Sequence, residues 1–343
     1  MPELNPILAE ALDRVRTGTR VADLEAAASE ISAHYRARGR SRAVIDGSDA
    51  ALAYALTRLP ATHAAVSAVL AELSARAPDF APDSLLDAGA GPGTAAWAAL
   101  DAFPVLGQVT LFDHNPAFLD LAARLAADAP EPLKSAARVR GDLARPDAPP
   151  ADLVIAAYAL TELPEAALVP AARALWARAK VLVLVEPGRP ADHARLMAIK
   201  AALGRDGAMT LAPCPHDAPC PLAVPDWCHF SARLSRSRTH RQLKGGTLGY
   251  EDEKYSYLIL ARPGIGRRAA ARVIKPADRH KPGIGLALCE PTGLNAVTVL
   301  KRDQDRFRQA RSLNWGDAAP TGLADETVTN RAGLKPRAGE DPR

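Results

Sequence analysis

The sequence has little of what marks a secreted or membrane-embedded protein. Four cysteines in 343 residues are too few for a disulfide scaffold. Aromatic residues make up only 5% of the chain, so stacking platforms that read single-stranded bases are not supported. The longest apolar runs are strand-length and fall short of the roughly 20 residues that cross a bilayer as a helix. The opening stretch, MPELNPILAEALDR, places acids in its first turns and has no apolar core of a secretory signal. It also lacks the acid-poor, Ser-rich composition of an organelle transit peptide. These absences set the expectation of a cytoplasmic protein without membrane contact. What remains is 48% hydrophobic and 24% charged, the balance of a globular chain long enough for one large α/β domain with additions.

The net charge of +4 hides a split. Residues 1–229 carry 21 Lys and Arg against 27 Asp and Glu, whereas residues 230–343 carry 22 against 12. A balance of −6 is thus followed by one of +10, which suits the C-terminal third to a polyanionic partner.

Apolar spacing predicts helices through residues 1–80, with Asn5 as N-cap and Pro6 at the first helical position. Two separate helices are expected over 49–58 and 61–77. From about residue 84, SLLDAG, QVTLFD, ARVRGD, DLVIAAYAL and KVLVLVEP read as strands separated by amphipathic stretches. That alternation predicts a doubly wound, mainly parallel sheet over residues 81–263. HFSARLSRS and YSYLILARP are expected to close it as an antiparallel edge pair. Between them and the fifth strand's helix, residues 211–230 hold five prolines that exclude regular structure, so this loop needs some other means of ordering. A small basic module is expected over 264–317 and a disordered tail over 318–343. There is no internal repeat.

The first strand runs into LLDAGAGPGT, where Gly89, Gly91 and Gly93 let backbone pass close to a ligand at a helix start. The spacing departs from the dinucleotide fingerprint, since Thr94 stands where its last glycine belongs. From Asp87 it resembles the first motif of class I S-adenosylmethionine-dependent methyltransferases. That resemblance implies that Asp87 and the glycine backbone hold the cofactor's amino-acid part. It also implies that Asp113, ending the second strand, accepts from the ribose hydroxyls, and that Asp142, after the third, contacts adenine. The fourth strand, DLVIAAYALTEL, lacks the N-P-P-Y-type tetrad that orients a target amine, and neither it nor the next strand has a nucleophilic cysteine. Tyr158 and Glu162 are the remaining candidates for orienting an acceptor.

Cys214, Cys220, Cys228 and Cys289 are all the cysteines, spaced C-x5-C-x7-C-x60-C. Three lie within fifteen residues of the proline-rich loop, which points to a metal rather than to disulfides. The spacing leaves a tetrahedral zinc and a [4Fe–4S] cluster level, and His216 or His229 could complete a Cys3His zinc site.

LVEPGRP, C-P-H-D-x-x-C-P, D-W-C-H-F, the Lys-Gly-Gly at Lys244, Y-S-Y-L and the late W-G-D follow one another in a characteristic order. With the glycine turn, over residues 50–317, they resemble the methyltransferase-like family of the mitochondrial small-ribosomal-subunit assembly factor. Bacterial members are described as small-ribosomal-subunit methyltransferase-like proteins. The resemblance implies that the four cysteines are [4Fe–4S] ligands, which moves iron–sulfur ahead of zinc. It also implies a partner, the small ribosomal subunit and its rRNA, met by a monomer.

Between Arg233 and Lys281 there are 13 basic residues and four acids. Arg233, Arg236, Arg238, Arg241 and Lys244, with Arg302 and Arg306 near Phe307, are the candidates for contacts to RNA phosphates. The leading expectation is an S-adenosylmethionine-binding iron–sulfur protein serving small-subunit assembly or translation. Its rivals are an active methyltransferase of rRNA or ribosomal protein, and a zinc-stabilised RNA-binding scaffold without cofactor.

Overall fold

A computed structural model describes residues 4–36 and 44–323. Residues 37–43 and most of the expected tail, 324–343, lie outside the described residues. Three helices, α1 (Pro6–Arg16), α2 (Val21–Arg36) and α3 (Ser48–Arg76), precede β1 (Ser84–Ala88). Then follow α4 (Thr94–Ala102), β2 (Gln108–Asp113), α5 (Pro116–Leu125), β3 (Ala137–Arg140) and β4 (Ala151–Ala157). Next come α6 (Glu165–Trp176), β5 (Ala179–Pro187), α7 (Pro190–Arg205) and β6 (Met209–Ala212). After an irregular loop come β7 (Phe230–Ser235), α8 (Arg238–Leu243) and β8 (Tyr250–Ala261). The chain continues with β9 (Ala271–Val273), β10 (Asp278–Arg279), β11 (Gly283–Glu290), β12 (Gly293–Leu300), α9 (Gln304–Ser312) and β13 (Ala318–Ala319).

The helix starts follow local chemistry. Asn5 accepts from the amides of Ile7 and Leu8 with Pro6 opening α1, and Asn115 caps the Ala117 amide with Pro116 opening α5. The strands assemble in the order β3-β2-β1-β4-β5-β8-β6, with β7 also paired to β8. The first five are parallel, and β8 runs antiparallel to β5, β6 and β7. Alternate residues feed two cores. Leu85, Val181, Val183 and Ile259 face the side of α3, α4 and α5, while Leu86, Leu182, Leu184 and Leu258 face α6 and α7. A strand buried on both faces reads as a continuous apolar run, which is the pattern of KVLVLV.

Three expectations are corrected. The regions 49–58 and 61–77 form one helix, α3, with Pro60 inside it. Proline removes one amide donor there, but burial of Leu56, Leu59, Ala61, Ala64 and Ala65 holds the helix on both sides of the break. YSYLILARP is no edge strand: β8 is interior, and its outer edge is shared by β6 at Ile259–Ala261 and β7 at Tyr250–Tyr255. The tail does not begin at 318, because Ala318–Ala319 pair with β9 and Leu323 is buried in the second sheet's core.

That second, antiparallel sheet (β10-β11-β9-β13, with β12 on β11) carries α9 and its own core. It is joined to the first through Arg272 on β9, which is 1% exposed. Its Nε donates to Pro213 O (3.1 Å), its Nη1 to Gly316 O (2.8 Å) and its Nη2 to Glu72 of α3 (2.5 Å). One guanidinium thus ties the helical preface, the proline-rich loop and the C-terminal sheet together. Replacing Arg272 by Met leaves a carboxylate and two carbonyls without their donor and is expected to cost about 3 kcal/mol. Urea unfolding measures it, and a loss below about 1 kcal/mol would contradict the linking role.

Candidate functional site

In a 3-2-1-4-5 strand order the chain reverses direction across the sheet between β1 and β4, and ligands bind at the carboxyl ends of strands there. A cleft of about 310 Å3 occupies this place. Asp87, Gly89, Gly91, Asp113, Asp142, Tyr158 and Glu162 line it, so seven sequence candidates converge. Gly93 is not among the lining residues: it starts α4 in a left-handed conformation, against Leu111 and Ala122.

The glycine turn is sterically required. A Cβ on Gly89 would stand 2.5 Å from the Ala159 Cβ, at a φ of +76°. Gly91, at φ +53°, has open space where a side chain would project, which is the cradle a ligand needs. The acids are partly committed to backbone. Asp87 accepts from the Ala96 amide (3.0 Å) within α4. Asp113 accepts from Gly91 N and Asn115 N, both at 2.8 Å, and so fixes the turn while facing the cleft. Asp142 accepts from Ala144 N (3.0 Å) and is exposed at the mouth.

Tyr158 adopts φ +55° at the end of β4, and its hydroxyl donates to Glu253 of β8 (2.8 Å). Burial, with the Glu253 charge adding, raises its phenol well above the ordinary range. Glu162 sits on a 3-10 turn held from behind by the LVEPGRP segment. Buried Glu186 accepts from Leu160 N (2.9 Å) and Thr161 N (3.0 Å), and Arg195 donates to Leu160 O and Leu163 O (both 2.9 Å). Sequence reasoning missed the cover: Tyr35, Tyr54 and Thr62 from α2 and α3 also line the cleft. Their only sequence signal was membership of the helical preface.

All four cysteines line a second cavity, together with His193, Phe230, Tyr257 and Arg272. None is in a disulfide. Burial raises the Cys214 and Cys228 thiols, and burial with nearby Cys214 and Cys220 pushes Cys289 up to about 12. His216 Nε2 lies 3.6 Å from Cys289 Sγ, whereas His229 stacks on Trp227 and meets Trp315 edge-on. Among the described residues no group of three His, Cys, Asp or Glu could hold a single ion. The loop is ordered by protein contacts: Thr210 N to Asp217 (2.8 Å), Trp227 Nε1 to Gly188 O (2.9 Å) and Ser256 Oγ to Cys228 O (2.9 Å).

The basic candidates divide. Arg233 forms a two-pronged pair with Asp252 (2.6 and 2.7 Å), while Arg236 (3.1 Å) and Lys244 (2.5 Å) donate to Glu251. Arg306 donates to Leu323 O (2.6 Å). These four side chains have partners within the chain, and Arg233 stays half exposed while paired. Arg238, Arg241 and Arg302 are exposed.

The strand order and this cleft define a class I methyltransferase-like α/β fold. Residues 48–320 match the family described as mitochondrial small ribosomal subunit Rsm22, and the chain belongs to that family. Human mitochondrial ribosome assembly protein METTL17 is 31% identical over 85% of this chain and 65% of its own length. A mitochondrial Rsm22-cox11 tandem protein of Schizosaccharomyces pombe is 24% identical over 78% of this chain and 43% of its own. The chain therefore spans less than two thirds of these relatives. Magnesium protoporphyrin IX methyltransferase of Synechocystis, solved with SAH, superposes at TM-score 0.40, with 16% identity over 59% of this chain and 83% of that one. TrmN of Thermus thermophilus superposes at 0.37, with 18% identity over 60% and 52%. The expectation of a cytoplasmic protein is overturned, since the relatives are mitochondrial. No described helix is long and apolar enough to cross a membrane.

Burial pushes Asp87 up to about 7 and Glu186 up to about 8, with Asp113 and Asp192 adding respectively. An acid with a raised native pKa keeps a proton that the unfolded chain releases near pH 4, so stability falls as pH rises towards the native value. Buried His193, His216 and His229, all lowered, act the opposite way below about pH 6.5. Between about pH 6.5 and 8 the carboxyls dominate. The Tm of the ligand-free chain is expected to fall across that window, less so in Glu186→Gln. A rising Tm would contradict this.

Proposed function

We propose that the chain is a small-ribosomal-subunit assembly factor that binds S-adenosylmethionine in the acid-lined cleft. In this reading it carries a [4Fe–4S] cluster on Cys214, Cys220, Cys228 and Cys289 and docks on structured rRNA. The observation that carries it is the joining, in one chain of the Rsm22 family, of a glycine-and-acid cleft with a four-thiol cavity. Asp113 and Asp142 each retain acceptor capacity towards hydroxyl and amino groups, and Gly91 leaves the approach to α4 open. Bound there, S-adenosylmethionine supplies a methyl on a positively charged sulfur. The Tyr158 hydroxyl is committed to Glu253 and the amine-orienting tetrad is missing, which favours cofactor binding in an assembly role over methyl transfer.

The donor set suits the cluster. Zinc draws its thiolates to about 2.3 Å of one ion, whereas a four-iron cluster takes one thiolate at each iron corner. The four thiols around one cavity would supply one thiolate for each iron corner. Arg238, Arg241 and Arg302, exposed, supply the phosphate contacts.

Calorimetric titration and co-sedimentation test the two halves. Wild type is expected to bind S-adenosylmethionine, Asp113→Ala at least about tenfold more weakly. The pair Arg238→Glu with Arg241→Glu is expected to lose small-subunit binding and flatten its salt dependence. Absence of cofactor binding would sink the cleft assignment. Methylation of rRNA by wild type, abolished in Asp113→Ala, would replace assembly by enzymatic modification.

A further inference from the structure

We propose that Lys200 and Arg272 form a cationic seat for a doubly negative thiolate–metal centre in the four-cysteine cavity, with Lys200 as its positioning residue. This rests on the metal reading above. The observation that carries it is Lys200 itself, on α7 and only 4% exposed. Its Nζ donates to Ala218 O (2.6 Å), in the loop between Cys214 and Cys220. Among the described residues no carboxylate lies within ion-pair distance of it. An ammonium taken out of water without a counter-charge is strongly unfavourable, so the charge next to Lys200 must come from what the cavity holds.

The placement is consistent along the helix. His193 and Met197 line the cavity, and Lys200 follows them at three- and seven-residue spacing on the same face of α7. Arg272 approaches from the opposite element. It is paired in register with Cys289 across β9 and β11, and its Nε donates to the carbonyl of Pro213, next to Cys214. Arg272 brings one guanidinium to the cavity wall, and its Glu72 partner also lies 3.4 Å from Arg76. Lys200 supplies a second cation. Four thiolates on an oxidised [4Fe–4S] core, or on a zinc ion, sum to −2, which these two cations offset.

Wild type, Lys200→Met and Lys200→Arg, purified anaerobically as full chains, are compared for iron, sulfide and zinc content. Their metal loss to a chelator and their midpoint potential are then measured, with circular dichroism confirming the fold. Lys200→Met is expected to lose metal at least tenfold faster and, if iron is bound, to have a more negative potential. Removing a nearby cation disfavours the added electron. Lys200→Arg is expected to stay near wild type. With the metal stripped, the order reverses: Lys200→Met melts above wild type, because the buried ammonium has lost its counter-charge. A merely structural lysine would destabilise both forms when removed. Unchanged chelator kinetics, or a stripped variant less stable than stripped wild type, would overturn the seat. Zinc without sulfide in wild type would end the cluster reading alone, since the chelator comparison still decides the seat. No metal in any form would end both.

Discussion

Arg272 is the contact on which the arrangement of parts depends. A single buried guanidinium bonds Glu72 of the N-terminal helix α3, the carbonyl before Cys214 and the carbonyl of Gly316 in the C-terminal W-G-D turn. Segments almost two hundred and fifty residues apart in sequence therefore meet at the wall of one cavity. The planar five-donor fork of arginine suits this task, and a lysine would reach one partner at a time. Because Cys289 sits opposite Arg272 in the sheet register, the same contact brings the distant fourth thiol to the three in the loop.

The cleft on the other part of the sheet is held by a different logic. Its acids stabilise the turn that they also present to a ligand: Asp87 holds an α4 amide, and Asp113 holds the Gly91 and Asn115 amides. Behind the cleft, Glu186 and Arg195 of the LVEPGRP segment and α7 grip the turn bearing Glu162. Helix α7 then continues past the cavity-lining His193 and Met197 to Lys200. One helix thus grips the turn bearing Glu162 and reaches the four-cysteine cavity.

Features set by neighbours in sequence were legible. The glycine turn, the strand-end acids, the apolar strands and the helix starts at Asn5 and Asn115 each declare themselves within a few residues. The cysteines were legible because thiols are scarce here and clustered. Features set by distant pairing were not. β8 reads as an edge strand until β6 and β7 are seen sharing its outer side. Pro60 reads as a break until the burial around it is known. The pairing of Arg233, Arg236 and Lys244 with Glu251 and Asp252 on the strand alongside was not legible either. That acidic pair was in view in the sequence, and the β7–β8 register was the missing information. Lys200 gave no sign at all, since a lysine on a helix is ordinarily solvated.

Anomalous diffraction from anaerobically grown crystals, recorded at the iron and zinc edges, identifies what the four-cysteine cavity holds. A compact four-iron peak enclosed by Cys214, Cys220, Cys228 and Cys289, beside Lys200 and Arg272, is expected. A zinc-edge peak in that cavity, or iron bound elsewhere, would contradict the cluster reading.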